Sequence, residues 1–211
     1  MEDFSLENYY EEFKQEINDE SVALGKSQQE VFFDKYNSIG SENGNFPDLT
    51  YNPYKYDHPK LPIQIDGYSF DEEQKELYLV IVDFEYDNLL DINLAELDRI
   101  FNKLERFYKH CKSLEFFNDI EESSLGYKLA RDINLKYGFF KRVKFIIITD
   151  RLVKTRKENK ENKVIDDKTF TYSVLDFKSY NNIERSNIEG NEIEIDILEL
   201  KEKPIKNILA N

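Results

Sequence analysis

The sequence predicts an α/β or α+β fold, in which helices flank a central mixed sheet of about five strands. Residues 77–82 are continuously apolar, which is typical of a strand covered on both faces, and residues 143–149 form a second predicted strand with an apolar centre. Residues 93–112 carry the wide apolar stripe of a helix that packs against a core. In residues 191–199 isoleucines alternate with acidic residues, which indicates a half-buried strand.

Composition narrows the range of functions. The net charge of −14 over 211 residues argues against a broad nucleic-acid-binding face, which needs a basic stripe. Residues 150–163 are the one basic segment, whose ordinary interpretation is a solvated helix or loop, with a phosphate-contacting arm as the alternative. The single cysteine, Cys111, excludes an intrachain disulfide framework and a cysteine-rich zinc site.

The N-terminus is acidic and has no apolar signal-peptide region, and no run approaches the roughly 20 apolar residues that span a bilayer. These two observations predict a cytoplasmic protein that does not enter a membrane.

The first part of the chain predicts two helices and a loop. Apolar residues recur at helical spacing in residues 3–18 and again in 21–37, where Ser21 is a suitable N-cap. Glycines, prolines and tyrosines then alternate through residues 38–62, which indicates an ordered, tyrosine-rich loop. We therefore expect residues 1–61 to form a helical and loop cap.

A hairpin with strands over residues 62–70 and 76–84 is the predicted centre of the sheet. Asp66 lies on the first strand, and Asp83 and Glu85 lie at the end of the second. Since side chains alternate between faces, Asp83 and Glu85 share a face if the strand continues that far. A turn with an even number of residues puts Asp66 on that face too, opposite or diagonal to Asp83; an odd number puts it on the other face.

Helices and strands alternate after the hairpin. Asn93 and Glu96 form a suitable capping box for the helix over residues 93–112, which should pack on the sheet together with the first helix. Gly138 is a plausible end for the next helix. The remaining predicted elements are a helix over 122–137, strands over 143–149, 170–177 and 191–199, and a short helix or turn over 178–184.

Residues 1–211 are expected to be a single N-terminal domain of a longer protein. Residues 62–200 hold the sheet-containing core, and residues 201–211 end without a capping device, which indicates a truncated C-terminal end.

Several blocks in order resemble a known family. They are FKQEI, IDGYSFDEEQKELYLVIVDFEYD, LDRIFNKLERFY, VKFIIITDR, YSVLDFKSYNNI and NEIEIDILEL. This order and spacing is similar to the N-terminal region of the AIPR family, the abortive-infection phage-resistance proteins of bacteria. The resemblance implies a role in antiviral defence. Because family members continue into a larger domain, it also implies that the missing C-terminal region is a partner, and a homo-oligomer is a further expectation.

The chain also resembles a restriction-endonuclease-like core, whose order is helix, strand with Asp, strand with acid-x-Lys, then helix and strand. The resemblance places Asp66 at the first acid and Asp83-Phe84-Glu85 at the acid-x-Lys block. It implies Mg²⁺ or Mn²⁺ held by Asp66 and Asp83, with Asp66, Asp83 and Glu85 as candidate catalytic residues.

Glu85 departs from that pattern because it stands where the lysine should be. Lys75, Lys141 and Lys144 are the lysines that could replace it. Two hypotheses follow: a non-catalytic sensing or interaction module on a nuclease-like fold, and a metal-dependent nuclease that hydrolyses phosphodiesters in nucleic acid.

Overall fold

The computed structural model describes residues 5–56, 61–113, 122, 124–154 and 161–191. The helices of these ranges are α1 (Leu6–Leu24), α2 (Gln28–Glu42), α3 (Leu94–Cys111), α4 (Leu125–Leu135) and α5 (Phe177–Asn191). The strands are β1 (Thr50–Tyr56), β2 (Ile63–Asp71), β3 (Glu76–Asp83), β4 (Asp91–Ile92), β5 (Arg142–Thr149), β6 (Leu152–Val153), β7 (Lys163–Ile165) and β8 (Lys168–Leu175).

The main sheet is mixed and has six strands in the order β1-β2-β3-β5-β8-β7. Strands β1, β2 and β3 form an antiparallel meander, β3, β5 and β8 are parallel, and β7 returns antiparallel to β8. The short strands β4 and β6 form a separate parallel pair. The predicted α+β fold with a mixed, helix-flanked sheet is confirmed.

Helices cover both faces of this sheet. Along β3, Leu77, Leu79 and Ile81 enter one core with α3 and α4, whereas the alternate residues enter the other with α1, α2 and α5. Every residue from Glu76 to Val82 is buried. The prediction that this strand is central, with the first helix and the 93–112 helix packed on the sheet, is therefore confirmed.

The ends of the helices show where the sequence patterns succeed and fail. Asn93 and Glu96 form the predicted capping box at the start of α3. The prediction that Ser21 caps a second helix is wrong, because α1 continues to Gly25, whose φ of 65° ends it, and Ser27 caps α2. Helix α4 ends at Leu135, before Gly138.

The prediction of a loop over residues 38–62 is wrong in part. Helix α2 extends to Glu42, and Thr50–Tyr56 form the edge strand β1. The strand tolerates Pro53 because its register with β2 shifts between Tyr51 and Tyr54, and prolines are accommodated at such irregular edge positions. The sheet therefore begins within the segment expected to be a cap.

Strand β8 ends at Leu175 and α5 begins at Phe177, so the helix is longer than the predicted 178–184 segment. Apart from residue 191, at the end of α5, the predicted strand over 191–199 lies outside the described residues, as do residues 201–211 and residues 155–160 of the basic segment. None of the helices in the described ranges is both long and apolar enough to cross a membrane.

Candidate functional site

The β2–β3 hairpin changes its geometry at Asp66. Residues 72–75 form a four-residue turn, and the strands pair regularly from Asp71 opposite Glu76 to Gly67 opposite Val80. Ile65 and Tyr68 both contact the core on the α3 side of the sheet, although side chains three residues apart in a regular strand point to opposite faces. The alternation of β2 side chains between the two faces therefore shifts by one residue between them. A Cβ at Gly67 would lie 2.4 Å from the ring of Phe33, which explains the glycine.

The carboxylate of Asp66 lies at the point where the regular β2–β3 pairing ends. Asp66 is 3% exposed, and its Oδ2 accepts hydrogen bonds from the Val82 N–H at 2.8 Å and from the Gln64 amide at 2.9 Å. Its Oδ1 accepts from the Gln29 amide of α2 at 3.2 Å. Burial raises the pKa of Asp66 to about 6, although these hydrogen bonds act in the opposite direction.

Asp83 lies at the carboxyl end of β3, where Arg151 holds both of its oxygens. The Arg151 Nη2 lies 2.9 Å from Oδ1 and 2.7 Å from Oδ2, and its Nε donates to Oδ2 at 2.9 Å. Thr149, which pairs with Asp83 in the β3–β5 register, donates its hydroxyl to Oδ2 at 2.8 Å. This is a bidentate, largely buried ion pair, the strongest geometry for an Arg and a carboxylate.

Glu85 lies beyond the end of β3, so the strand does not continue as far as the prediction required. The Asp150 carboxylate fixes this segment by accepting the backbone N–H groups of Glu85 at 3.2 Å and Tyr86 at 3.1 Å. Asp150 also accepts the hydroxyl of Tyr10, on α1, at 2.8 Å. Burial raises the pKa of Asp150. The side chain of Glu85 itself is exposed.

The three predicted acids line one pocket of about 480 Å³, which we call the acid pocket. Asp66, Asp83 and Glu85 share it with Gln29, Gln64 and Lys55. Of the lysines considered from sequence, Lys75, Lys141 and Lys144 are not among its lining residues, and Lys144 instead pairs with Glu76 at 2.6 Å.

As arranged, the acid pocket does not fit a Mg²⁺ ion. Mg²⁺ requires carboxylate oxygens that are free to coordinate it. Both oxygens of Asp83 already accept from a guanidinium cation, and both oxygens of Asp66 accept from protein donors. Within the described ranges, no group of three or more His, Cys, Asp or Glu side chains is placed to hold a metal ion.

Sequence reasoning missed the Thr149-Asp150-Arg151 segment, which organises this site. The sequence does contain a signal for this segment. The three residues directly follow the apolar residues of β5, just as Asp83 directly follows the apolar residues of β3. If the two strands are parallel neighbours, their carboxyl ends meet at one edge of the sheet. The parallel pairing was the missing information.

Comparison with known proteins identifies the family. No curated protein and no solved structure matches the chain. Residues 32–182 match the family described as abortive infection phage resistance protein N-terminal domain. The match includes Asp66, Asp83 and Arg151 and covers more than half of the chain, which therefore belongs to this family of phage-resistance proteins.

Proposed function

We propose that this domain serves phage defence as a non-catalytic sensing or interaction module built on a nuclease-like fold. The order of its elements supports the fold part of the proposal. Helix α2 and then β1 precede the strand with Asp66, the strand with Asp83 follows, and β4, α3 and α4 lead to β5, which is parallel to β3. Apart from the additional β1, β4 and α4, this is the order expected of a restriction-endonuclease-like core.

The observation that carries the non-catalytic part is the Arg151–Asp83 ion pair. In a metal-dependent nuclease this carboxylate must face a metal ion, which neutralises it and activates water. Here a guanidinium that is 9% exposed at its side chain neutralises it from within the fold. The acid-x-Lys block also ends in Glu85, so the pocket gains an acid where a phosphate would need a cation.

One observation favours the alternative, a metal-dependent nuclease. Lys55 of β1 lines the acid pocket together with Asp66 and Asp83, and so brings a lysine to the site from another strand. In this alternative Arg151 would have to release Asp83.

A metal-dependent cleavage assay discriminates the two functions. Wild type and Asp83→Asn are incubated with Mg²⁺ or Mn²⁺ and with single- and double-stranded DNA and RNA, and their melting temperatures are measured with and without Mn²⁺. We expect neither protein to cleave nucleic acid. We also expect Mn²⁺ to give the wild type no rise in melting temperature that is absent from Asp83→Asn.

The matched control is Asp91→Asn. Asp91 is an exposed acid of β4 whose partner is the exposed Lys154. Metal-dependent cleavage by wild type that is lost in Asp83→Asn and kept in Asp91→Asn would overturn the proposal in favour of the nuclease.

A further inference from the structure

A second pocket, of about 570 Å³, lies where α3 faces β5, β7 and β8. Five aromatic side chains line it: Tyr108, Tyr137, Phe145, Phe170 and Tyr172. Four lysines line it as well: Lys109, Lys112, Lys163 and Lys168. We call it the lysine–aromatic pocket. Its volume is within the range of small-molecule sites, which combine an apolar lining with a few polar groups.

The aromatic lining consists of rings already held by one another. The rings of Tyr108 and Tyr137 stack with centroids 5.0 Å apart, and those of Phe145 and Phe170 stack at 6.1 Å and 11°. Rings that are fixed in this way lose little freedom when a further flat group packs on them. Tyr108, Phe145 and Tyr172 are buried, whereas Tyr137 and Phe170 are half-buried and leave ring surface on which a planar aromatic group can pack.

The lysines give the pocket a charge opposite to that of the chain. Among the described residues that line it, two carboxylates, Glu105 and Asp166, stand against four lysines, whereas the whole chain carries −14. Lys109 and Lys163 both approach Glu105, at 3.9 and 3.6 Å, so one acid faces two ammonium groups. An anionic ligand would balance this local excess of positive charge.

Two of the lysines are positioned by groups other than carboxylates. Lys168 donates to the backbone carbonyls of Tyr137 and Phe140, each at 2.6 Å, which fixes its ammonium beside the Tyr137 ring. The ammonium of Lys112 lies 6.0 Å from the centroid of the same ring. Positive charge is thus fixed beside an aromatic surface, so one ligand could place an anionic group at the lysines and a planar group on the rings.

Tyr108 adds a polar group. It is 2% exposed, and burial together with the neighbouring Tyr137 side chain raises the pKa of its hydroxyl, although within the described structure that hydroxyl forms no hydrogen bond of good geometry. An unpaired buried hydroxyl costs on the order of 1–3 kcal/mol. The hydroxyl is buried, so a ligand atom can supply a better partner only if the Tyr108 side chain shifts towards the pocket that it lines.

We propose that the lysine–aromatic pocket binds a nucleotide, with its base on the aromatic side chains and its phosphates at the lysines. Stacking on aromatic rings and contacts from lysines to phosphates are the two interactions that nucleotides require. The inference rests on this pocket alone and does not depend on whether the acid pocket is catalytic.

Isothermal titration calorimetry with ATP as the probe tests the proposal on the whole chain. Adenosine and inorganic tripolyphosphate separate the contributions of the base and of the phosphates. We expect ATP to bind at least tenfold more tightly than either compound, with an affinity that falls as salt increases. No ATP binding, or equal binding of ATP and tripolyphosphate, would overturn the proposal.

Charge reversal locates the site. Lys112→Glu combined with Lys163→Glu should weaken ATP binding by about tenfold or more, since each charge-assisted hydrogen bond is worth about that factor. Lys128→Glu, an exposed lysine of α4 outside the pocket, is the matched control and should keep wild-type affinity. Equal affinity of wild type and the Lys112/Lys163 double variant would place ATP elsewhere and overturn the inference.

Discussion

The acid pocket and the lysine–aromatic pocket differ in how their charges are balanced. In the acid pocket the carboxylates of Asp66 and Asp83 accept hydrogen bonds from β3, from α2 and from Arg151, which follows β5. Among the described residues that line the lysine–aromatic pocket, four lysines face two carboxylates, and the Tyr108 hydroxyl forms no hydrogen bond of good geometry. The resemblance in sequence indicates the acid pocket as the functional site, whereas the unbalanced charges and the unsatisfied hydroxyl indicate the lysine–aromatic pocket.

This difference is relevant to how binding sites are recognised. Buried polar groups whose hydrogen bonds are all made stabilise the fold that contains them. Buried polar groups without partners lower the stability of the fold, or are retained for another purpose. The comparison therefore predicts that substitutions in the acid pocket change stability strongly and that substitutions in the lysine–aromatic pocket hardly change it.

The largest effect is expected for Arg151→Ala. Removing the guanidinium leaves Asp83, with 13% of its side chain exposed, as an uncompensated charge. Breaking such a buried pair costs about 3–5 kcal/mol, measurable as a fall in the free energy of unfolding in urea. Lys154→Ala, which breaks the exposed pair with Asp91, should cost less than about 1 kcal/mol. A similarly small loss of stability for Arg151→Ala would contradict the conclusion that the Asp83 carboxylate depends on its buried ion pair with Arg151.

Asp66→Asn is expected to stabilise the protein by roughly 1–3 kcal/mol at pH 7.5, because it removes the cost of a buried negative charge while keeping an oxygen for the Val82 N–H. The pKa of Asp66 is raised to about 6 in the folded protein, so the folded state binds this proton more tightly than the unfolded state. Its contribution to stability is present at low pH and is lost as the pH rises from about 4 to 6.

Urea unfolding at several pH values checks this sign. The wild type should lose more stability than Asp66→Asn between pH 4 and 6. Asp132→Asn, at an exposed position of α4, serves as the control and should follow the wild type within about 0.5 kcal/mol. A wild type that gains stability relative to Asp66→Asn over this interval would show the opposite linkage.

Two tyrosine hydroxyls provide a direct test of saturated against unsaturated groups. Tyr10→Phe removes the hydrogen bond to the Asp150 carboxylate and should cost about 1–2 kcal/mol. Tyr108→Phe removes a buried hydroxyl that forms no hydrogen bond of good geometry among the described residues, and should be neutral or stabilising by up to about 1 kcal/mol. Thermal and urea unfolding measure both, and equal losses would remove the distinction between a hydrogen-bonded and an unsatisfied tyrosine hydroxyl.

The smallest effects are expected for Lys112→Ala and Lys163→Ala, which should each change the free energy of unfolding by less than about 0.5 kcal/mol. Both lysines are exposed, and the contact of Lys163 with Glu105 at 3.6 Å is a loose ion pair. If either substitution lowers stability by more than 1 kcal/mol in urea unfolding, its lysine has a structural role and the contrast with Arg151 weakens.

The sequence was informative where a local pattern determined the structure. The apolar stripe and capping box defined α3, and the continuous apolar runs defined β3 and β5. Strand β1 was missed because glycine and proline are typical of loops, and only pairing with β2 makes this segment a strand.

The candidate site was predictable only in part. Asp66 and Asp83 could be placed near one another from the hairpin, but Arg151 follows β5, whose parallel pairing with β3 is a tertiary property. The slip of β2 at Asp66 depends on the fit of Gly67 against the Phe33 ring, which no local pattern reports.

Helix α1 shows that the family match and the packed core of this domain have different limits. The family match begins at residue 32, yet Tyr10, Phe13 and Ile17 of α1 are each at most 2% exposed in the core. The Phe13 ring lies 5.3 Å from Phe177, the first residue of α5. A chain shortened to residues 32–182 would uncover an aromatic surface of the kind that drives aggregation. Excision at the borders of sequence similarity should therefore yield an insoluble fragment, although every matched residue is kept.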